Sequence, residues 1–133
     1  MKLLISKEDE ITIRFVLAEN KKSQLIADTT VDNLKETFGD DIKEGTIFEG
    51  EAVFRRPSFA DTVEIAGSLN TADGMNVQFN PLSMRFKRMS RLLKRWNLVD
   101  GDKPIPATSE SIASLDTFVA NIIGAQLDAA VGV

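Results

Sequence analysis

The chain has 133 residues, with 16 Lys and Arg against 20 Asp and Glu, no cysteine and no histidine, for a formal net charge of -4. That length supports one modest core, burying roughly two-thirds of the unfolded chain's surface, so a single domain spanning 1–133 is expected. The missing residue types exclude disulfide staples, the usual zinc ligand sets, Cys- or His-based nucleophiles and a histidine pH switch.

The first ten residues, MKLLISKEDE, turn acidic before any secretory apolar run develops, which reads as a cytosolic start. No stretch approaches the 18 or so apolar residues of a membrane span. A pI near 4.9 argues against general affinity for nucleic acid or anionic lipid. Charge is nonetheless uneven. Residues 1–54 carry 7 basic against 12 acidic side chains, 55–96 carry 8 against 3, and 97–133 carry 1 against 5, so a basic middle lies between acidic ends. Either the ends fold back and neutralise the middle, or the charge serves an intermolecular contact.

In chain order, residues 10–17 (EITIRFVL) alternate Ile11, Ile13, Phe15 and Leu17 against Thr12, Arg14 and Val16, the period of a half-buried strand. Residues 3–5 are a short candidate hairpin partner. Thr30 is placed to cap a helix over 31–38, with Asp32 in its first turn, Val31, Leu34 and Phe38 on its apolar face, and Gly39 as its stop. Residues 39–45 (GDDIKEG) read as a loop. Residues 46–54 (TIFEGEAVF) are a second strand in which Gly50 tolerates a bulge or a close backbone approach. Pro57 and Ser58 then open a helix at Phe59, with Phe59, Val63, Ala66 and Leu69 as its expected buried face.

A turn at Asp73-Gly74 and an extended piece over 75–79 precede the clearest helix signal, Asn80-Pro81. From there Leu82, Phe86, Met89, Leu93 and Trp96 recur at helical spacing, predicting a helix over 81–96. The Asp-Gly turn and two prolines in 97–106 predict an ordered connection that breaks the helix. Thr108 or Ser109 caps a final helix reaching Ala129, with Ile112, Leu115, Val119, Ile122, Gln126 and Ala129 on one stripe. The predicted architecture is α+β: a small N-terminal antiparallel sheet packed with three main helices after residue 57.

Away from the apolar stripe of the 81–96 helix lie Lys87, Arg88, Arg91, Lys94 and Arg95, with Arg85 at the border. A basic amphipathic helix can be a solvated face, a membrane anchor, a phosphate contact or a recognition segment for an acidic partner. The acidic flanks and the lack of an aromatic stacking set argue against nucleic acid, and nothing favours a membrane. Arg85, Arg88, Arg91, Lys94 and Arg95 are therefore candidate protein-binding residues, as are Ile112, Leu115, Phe118, Val119, Ile122, Ile123 and Leu127 on the broad face of the last helix. No catalytic, cofactor-binding or metal-ligating set emerges. The acidic pairs Asp9/Glu10, Asp40/Asp41 and Asp100/Asp102 read as solvated turn residues, and Asp100-Gly101-Asp102-Lys103 lacks the later ligands of a calcium loop.

The segments FRRPSFAD (54–61), RWNLVD (95–100) and PIPAT (104–108), followed by the closing amphipathic helix, resemble small tail-assembly proteins of siphophage-type viruses and prophages, over about residues 46–130. Tail assembly chaperones of this kind are mostly helical and non-enzymatic, and hold the helical tape measure protein while tube subunits polymerise around it. The resemblance implies a bacteriophage or prophage protein of the host cytoplasm, with no cofactor. Its expected partners are the tape measure protein or other viral tail proteins, and self-association into a homo-oligomer is a further candidate. Two alternatives stay open: a structural head or tail completion protein that closes a ring by charge complementarity, and a small regulator that binds a host protein.

Overall fold

The computed structural model describes residues 1–67 and 80–132. The expected Asp73-Gly74 turn, the extended piece over 75–79 and Leu69 lie outside the described residues. The fold is mixed, as predicted: an antiparallel sheet with three of its four strands from the N-terminal half, flanked by helices. Strand β1 (Glu10–Glu19) is central and pairs antiparallel with β2 (Leu25–Asp28) on one side and β3 (Phe48–Arg55) on the other. Strand β4 (Leu93–Trp96) completes the order β2-β1-β3-β4.

Alternation in β1 feeds two cores. Ile11, Ile13 and Phe15 join Ala52 and Phe54 of β3 on one face. Val16 and Ala18, on the other face, pack with Ile26 and Leu34. Val16, expected on the open face, is thus buried, because helix α1 (Val31–Phe38) covers it. That helix forms as its caps dictate. Thr30 Oγ1 accepts from the Asn33 N–H at 3.1 Å, Leu34 is fully buried, and Gly39 follows with a positive φ of 51°. A single 3₁₀ turn, Gly39–Asp41, occupies the expected loop, and Ile42 bridges back to Asn20. Residues 3–5 form no strand; the hairpin partner of β1 is β2, which follows it in the chain. The bulge lies not at Gly50 but between Val53 and Phe54, where β3 meets β4.

Helix α2 (Phe59–Gly67) starts where Ser58 predicts, but with a different buried face. Phe59 and Val63 are 84% and 53% exposed and Ala66 is exposed, while Asp61 and Ile65 are buried. An ionic anchor at Asp61, described below, sets the rotation of this helix.

Helix α3 (Pro81–Leu92) is capped by Asn80, whose side chain accepts from Leu82 and Ser83. It ends four residues earlier than the apolar spacing predicts. Residues 93–96 leave the helix to extend the sheet, pairing Trp96 with Ala52 and Leu93 with Phe54. Without them β3 would be an exposed edge. The continuation is secured by Asn97, whose Oδ1 accepts from the Glu51 N–H at 2.8 Å and whose Nδ2 donates to Glu49 O at 3.1 Å. The Trp96 indole N–H donates to Ile105 O at 2.7 Å.

The connection folds as a minimal hairpin, β5 (Val99–Asp100) with β6 (Lys103–Pro104), turning through Gly101 at φ 67°. The last helix is two helices. Helix α4 (Ser109–Ser114) is capped by Thr108, and the chain turns extended at Leu115. Asp116 then caps α5 (Thr117–Ala130), accepting from Phe118 N at 2.8 Å. Met89 and Leu92 of α3, Ile112 of α4, and Val119, Ile123 and Leu127 of α5 close the main core over the sheet.

Candidate functional site

The basic edge of α3 continues into β4, and its side chains are tied to three carboxylates from different parts of the chain. Arg88, buried at 7% exposure, pairs with Asp128 of α5, and Arg85 Nε reaches the second oxygen of the same carboxylate at 2.9 Å. Arg85 Nη1 also donates to Asn121 Oδ1 at 3.0 Å. The helix is rotated so that Arg85, Arg88, Met89 and Leu92 face inward, leaving Leu82 and Phe86 exposed. Arginine stems cover apolar surface while their heads are paired, which makes this rotation affordable.

Asp61 is the second anchor. Its carboxylate accepts from Arg55 of β3 through both guanidinium nitrogens, from Arg91 Nε at 3.0 Å, and from Ser58 N and Oγ at 2.9 and 3.1 Å. Because the Asp61 N–H donates back to Ser58 Oγ at 3.2 Å, the pair is a reciprocal helix cap. The Arg55 bonds and the Ser58 donors hold the carboxyl well below the usual carboxylate range, against the opposing effect of burial. Glu10 is the third anchor. Arg95 and then Lys94 lower its pKa to about 2, with contacts of 2.9 and 2.8 Å.

Arg85, Arg88, Arg91, Lys94 and Arg95 are therefore all engaged inside the chain, by residues from its N-terminal, middle and C-terminal parts. Of the apolar candidates, Ile112, Val119, Ile123 and Leu127 are buried in the main core, and Leu115 and Ile122 lie half-buried against it. Phe118 alone of that set is largely exposed, at 70%. Other apolar side chains stand out: Phe59 and Val63 one turn apart on α2, Leu82 and Phe86 one turn apart on α3, and Leu3 and Leu4 near the N-terminus. The α2 pair belongs to that helix's expected buried face and the α3 pair to its apolar stripe, while Leu3 and Leu4 belong to the expected hairpin strand that does not form.

Asp61 and Asp128 are anchors that composition and charge runs do not reveal. For Asp61 the signal present is the Ser58-x-x-Asp61 spacing of a capping box. For Asp128 it is the polar and small stripe Asn121, Gly124 and Asp128 on α5. Asp9 is also not a free turn residue: Lys2 and the Ser6 N–H bind its carboxylate and lower its pKa. Among the described residues, no group of three or more His, Cys, Asp or Glu is placed to hold a metal ion, and no helix is long and apolar enough to cross a membrane. Comparison with protein-family models, with curated proteins and with solved structures finds no match to this chain.

Proposed function

We propose that this chain is a non-enzymatic assembly chaperone of the siphophage tail type, acting in the host cytoplasm by covering apolar helical surface on the tape measure protein or another tail subunit. One observation carries the reading: the α2 pair Phe59/Val63, the α3 pair Leu82/Phe86 and Phe118 of α5 remain exposed on helices whose other faces are already packed. Scattered surface apolar groups are ordinary, but large side chains paired one turn apart are the pattern by which helices recognise other helices. Burying each is worth about 1.5–3 kcal/mol, against an association cost of about 4–15 kcal/mol, so the expected binding is weak and reversible. A holding protein that must later release its client needs that range.

The resemblance of residues 54–61, 95–100 and 104–108 to tail-assembly proteins supports the same direction. A ring closed by the central basic block has less to draw on, because Arg85, Arg88, Arg91, Lys94 and Arg95 already have intrachain partners.

The test is calorimetric titration with a synthetic 25-residue amphipathic Leu/Ala helix peptide. The expected result is micromolar binding with a negative heat-capacity change, little altered between low and high salt, and weakened about tenfold by Phe59→Ser or Phe118→Ser. Absence of binding, or binding indifferent to both substitutions, overturns the proposal.

A further inference from the structure

A cleft of about 690 Å³ opens between the N-terminal segment 5–7, the β3–α2 corner and β4, at the end of the sheet where β1 begins. Its cations are Lys7, Arg55, Arg56 and Lys94; Asp61 is the acid in its lining, and Ile5, 38% exposed, is its apolar wall. These cations differ in how they are held. Arg55 is fixed on Asp61, and Lys94 is fixed on Glu10 and on Lys7 O at 3.1 Å. Asp61 is shared with Arg91, which also lies 4.0 Å from Glu64, and Glu10 is shared with Arg95, so each carboxylate serves two cations.

Arg56 and Lys7, by contrast, have no carboxylate within ion-pair distance among the described residues. The Arg56 backbone is not loose: its N–H donates to Asp9 O at 2.7 Å, and Pro57 restricts it from the other side. An anchored backbone thus presents a guanidinium that shares the cleft with the Lys7 ammonium, both without a carboxylate partner among the described residues, over a floor of satisfied ion pairs and with exposed Ile5 in the same lining.

From this we infer that the cleft is a docking site for an acidic peptide segment of a partner protein, in which carboxylates alternate with apolar side chains. Carboxylate geometry suits the free guanidinium fork, and an apolar neighbour in the segment gains the Ile5 wall. A nucleic acid is disfavoured because its phosphate backbone would leave the Ile5 wall unused and would find only two cations without a carboxylate partner among the described residues. The inference does not depend on the chaperone reading: the helix residues Phe59, Val63, Leu82, Phe86 and Phe118 do not line this cleft.

The experiment is fluorescence anisotropy of the full chain with a labelled synthetic peptide of alternating Asp/Glu and Leu, with oligothymidylate as competitor. Saturable binding that weakens with salt is expected, reduced about fivefold by Arg56→Gln and by Lys7→Gln separately, and unchanged by Lys103→Gln on the β5–β6 hairpin. Thermal unfolding of each variant should match the parent; if Arg56→Gln shifts it, Lys7→Gln carries the test. No binding up to about 1 mM, affinity equal to the parent's in both cleft variants, or displacement by oligothymidylate at lower concentration than unlabelled peptide overturns the inference.

Discussion

Gly50 lies against the ring of Phe15, its cross-strand neighbour, so closely that an added methyl would overlap the ring. Phe15 is itself buried within the main core and has no space to retreat. Overpacking of this kind costs about 1–3 kcal/mol, so Gly50→Ala should lower the urea midpoint accordingly without changing the slope of the transition. The requirement for closeness at Gly50 is readable from a glycine inside an alternating strand, but the identity of the neighbour is not, because it depends on register. The same limit applies to the acids. Ser58-x-x-Asp61 is visible as a cap, whereas the use of that carboxylate by Arg55 and Arg91 arises only when β3 and α3 are brought beside α2.

At the scale of elements, the apolar spacing from Leu82 to Trp96 is consistent with one long helix, yet the chain leaves α3 after Leu92. Local periodicity cannot register that β3 has an open edge, and the ladder bonds and Trp96 packing gained there outweigh another helical turn. The last helix breaks for a more local reason: Asp116 is a good N-cap in the middle of an apolar stripe. The joint between α3 and α5 rests on Asp128. Asp128→Ala would leave Arg88 as a buried charge without its partner and should cost about 3–5 kcal/mol of unfolding free energy. Replacing both partners, Arg88→Met with Asp128→Leu, should recover most of that loss, and chemical denaturation of the single and double variants measures the difference.

Across the whole molecule, the basic centre and acidic ends become a folding device. Glu10 from the N-terminal part and Asp128 from the C-terminal part clamp opposite ends of the segment 85–95, with Asp61 between them. Glu10 has its pKa lowered from 4.5 to about 2, so its contribution is present at neutral pH and is lost as pH falls through that interval. Asp61 is shifted in the same direction and adds to the loss below its ordinary range. Stability followed by denaturant melts should therefore decline between about pH 4.5 and pH 2, and Glu10→Gln should flatten the upper part of that decline while leaving a lower plateau. A stability profile indifferent to Glu10→Gln would show that the clamp does not couple to folding.

The sequence by itself determined the mixed class, the places where α1, α2, α3 and α4 begin, and the alternation of β1, because caps, prolines and period-two patterning act within a few residues. Only the tertiary structure decided which face of α2 and α3 is buried, where α3 yields to β4, and that Arg55, Arg85, Arg88, Arg91, Lys94 and Arg95 pair with Glu10, Asp61 and Asp128. Those outcomes depend on sheet edges and carboxylates contributed from distant parts of the chain, and the free energy of meeting them has no local signature.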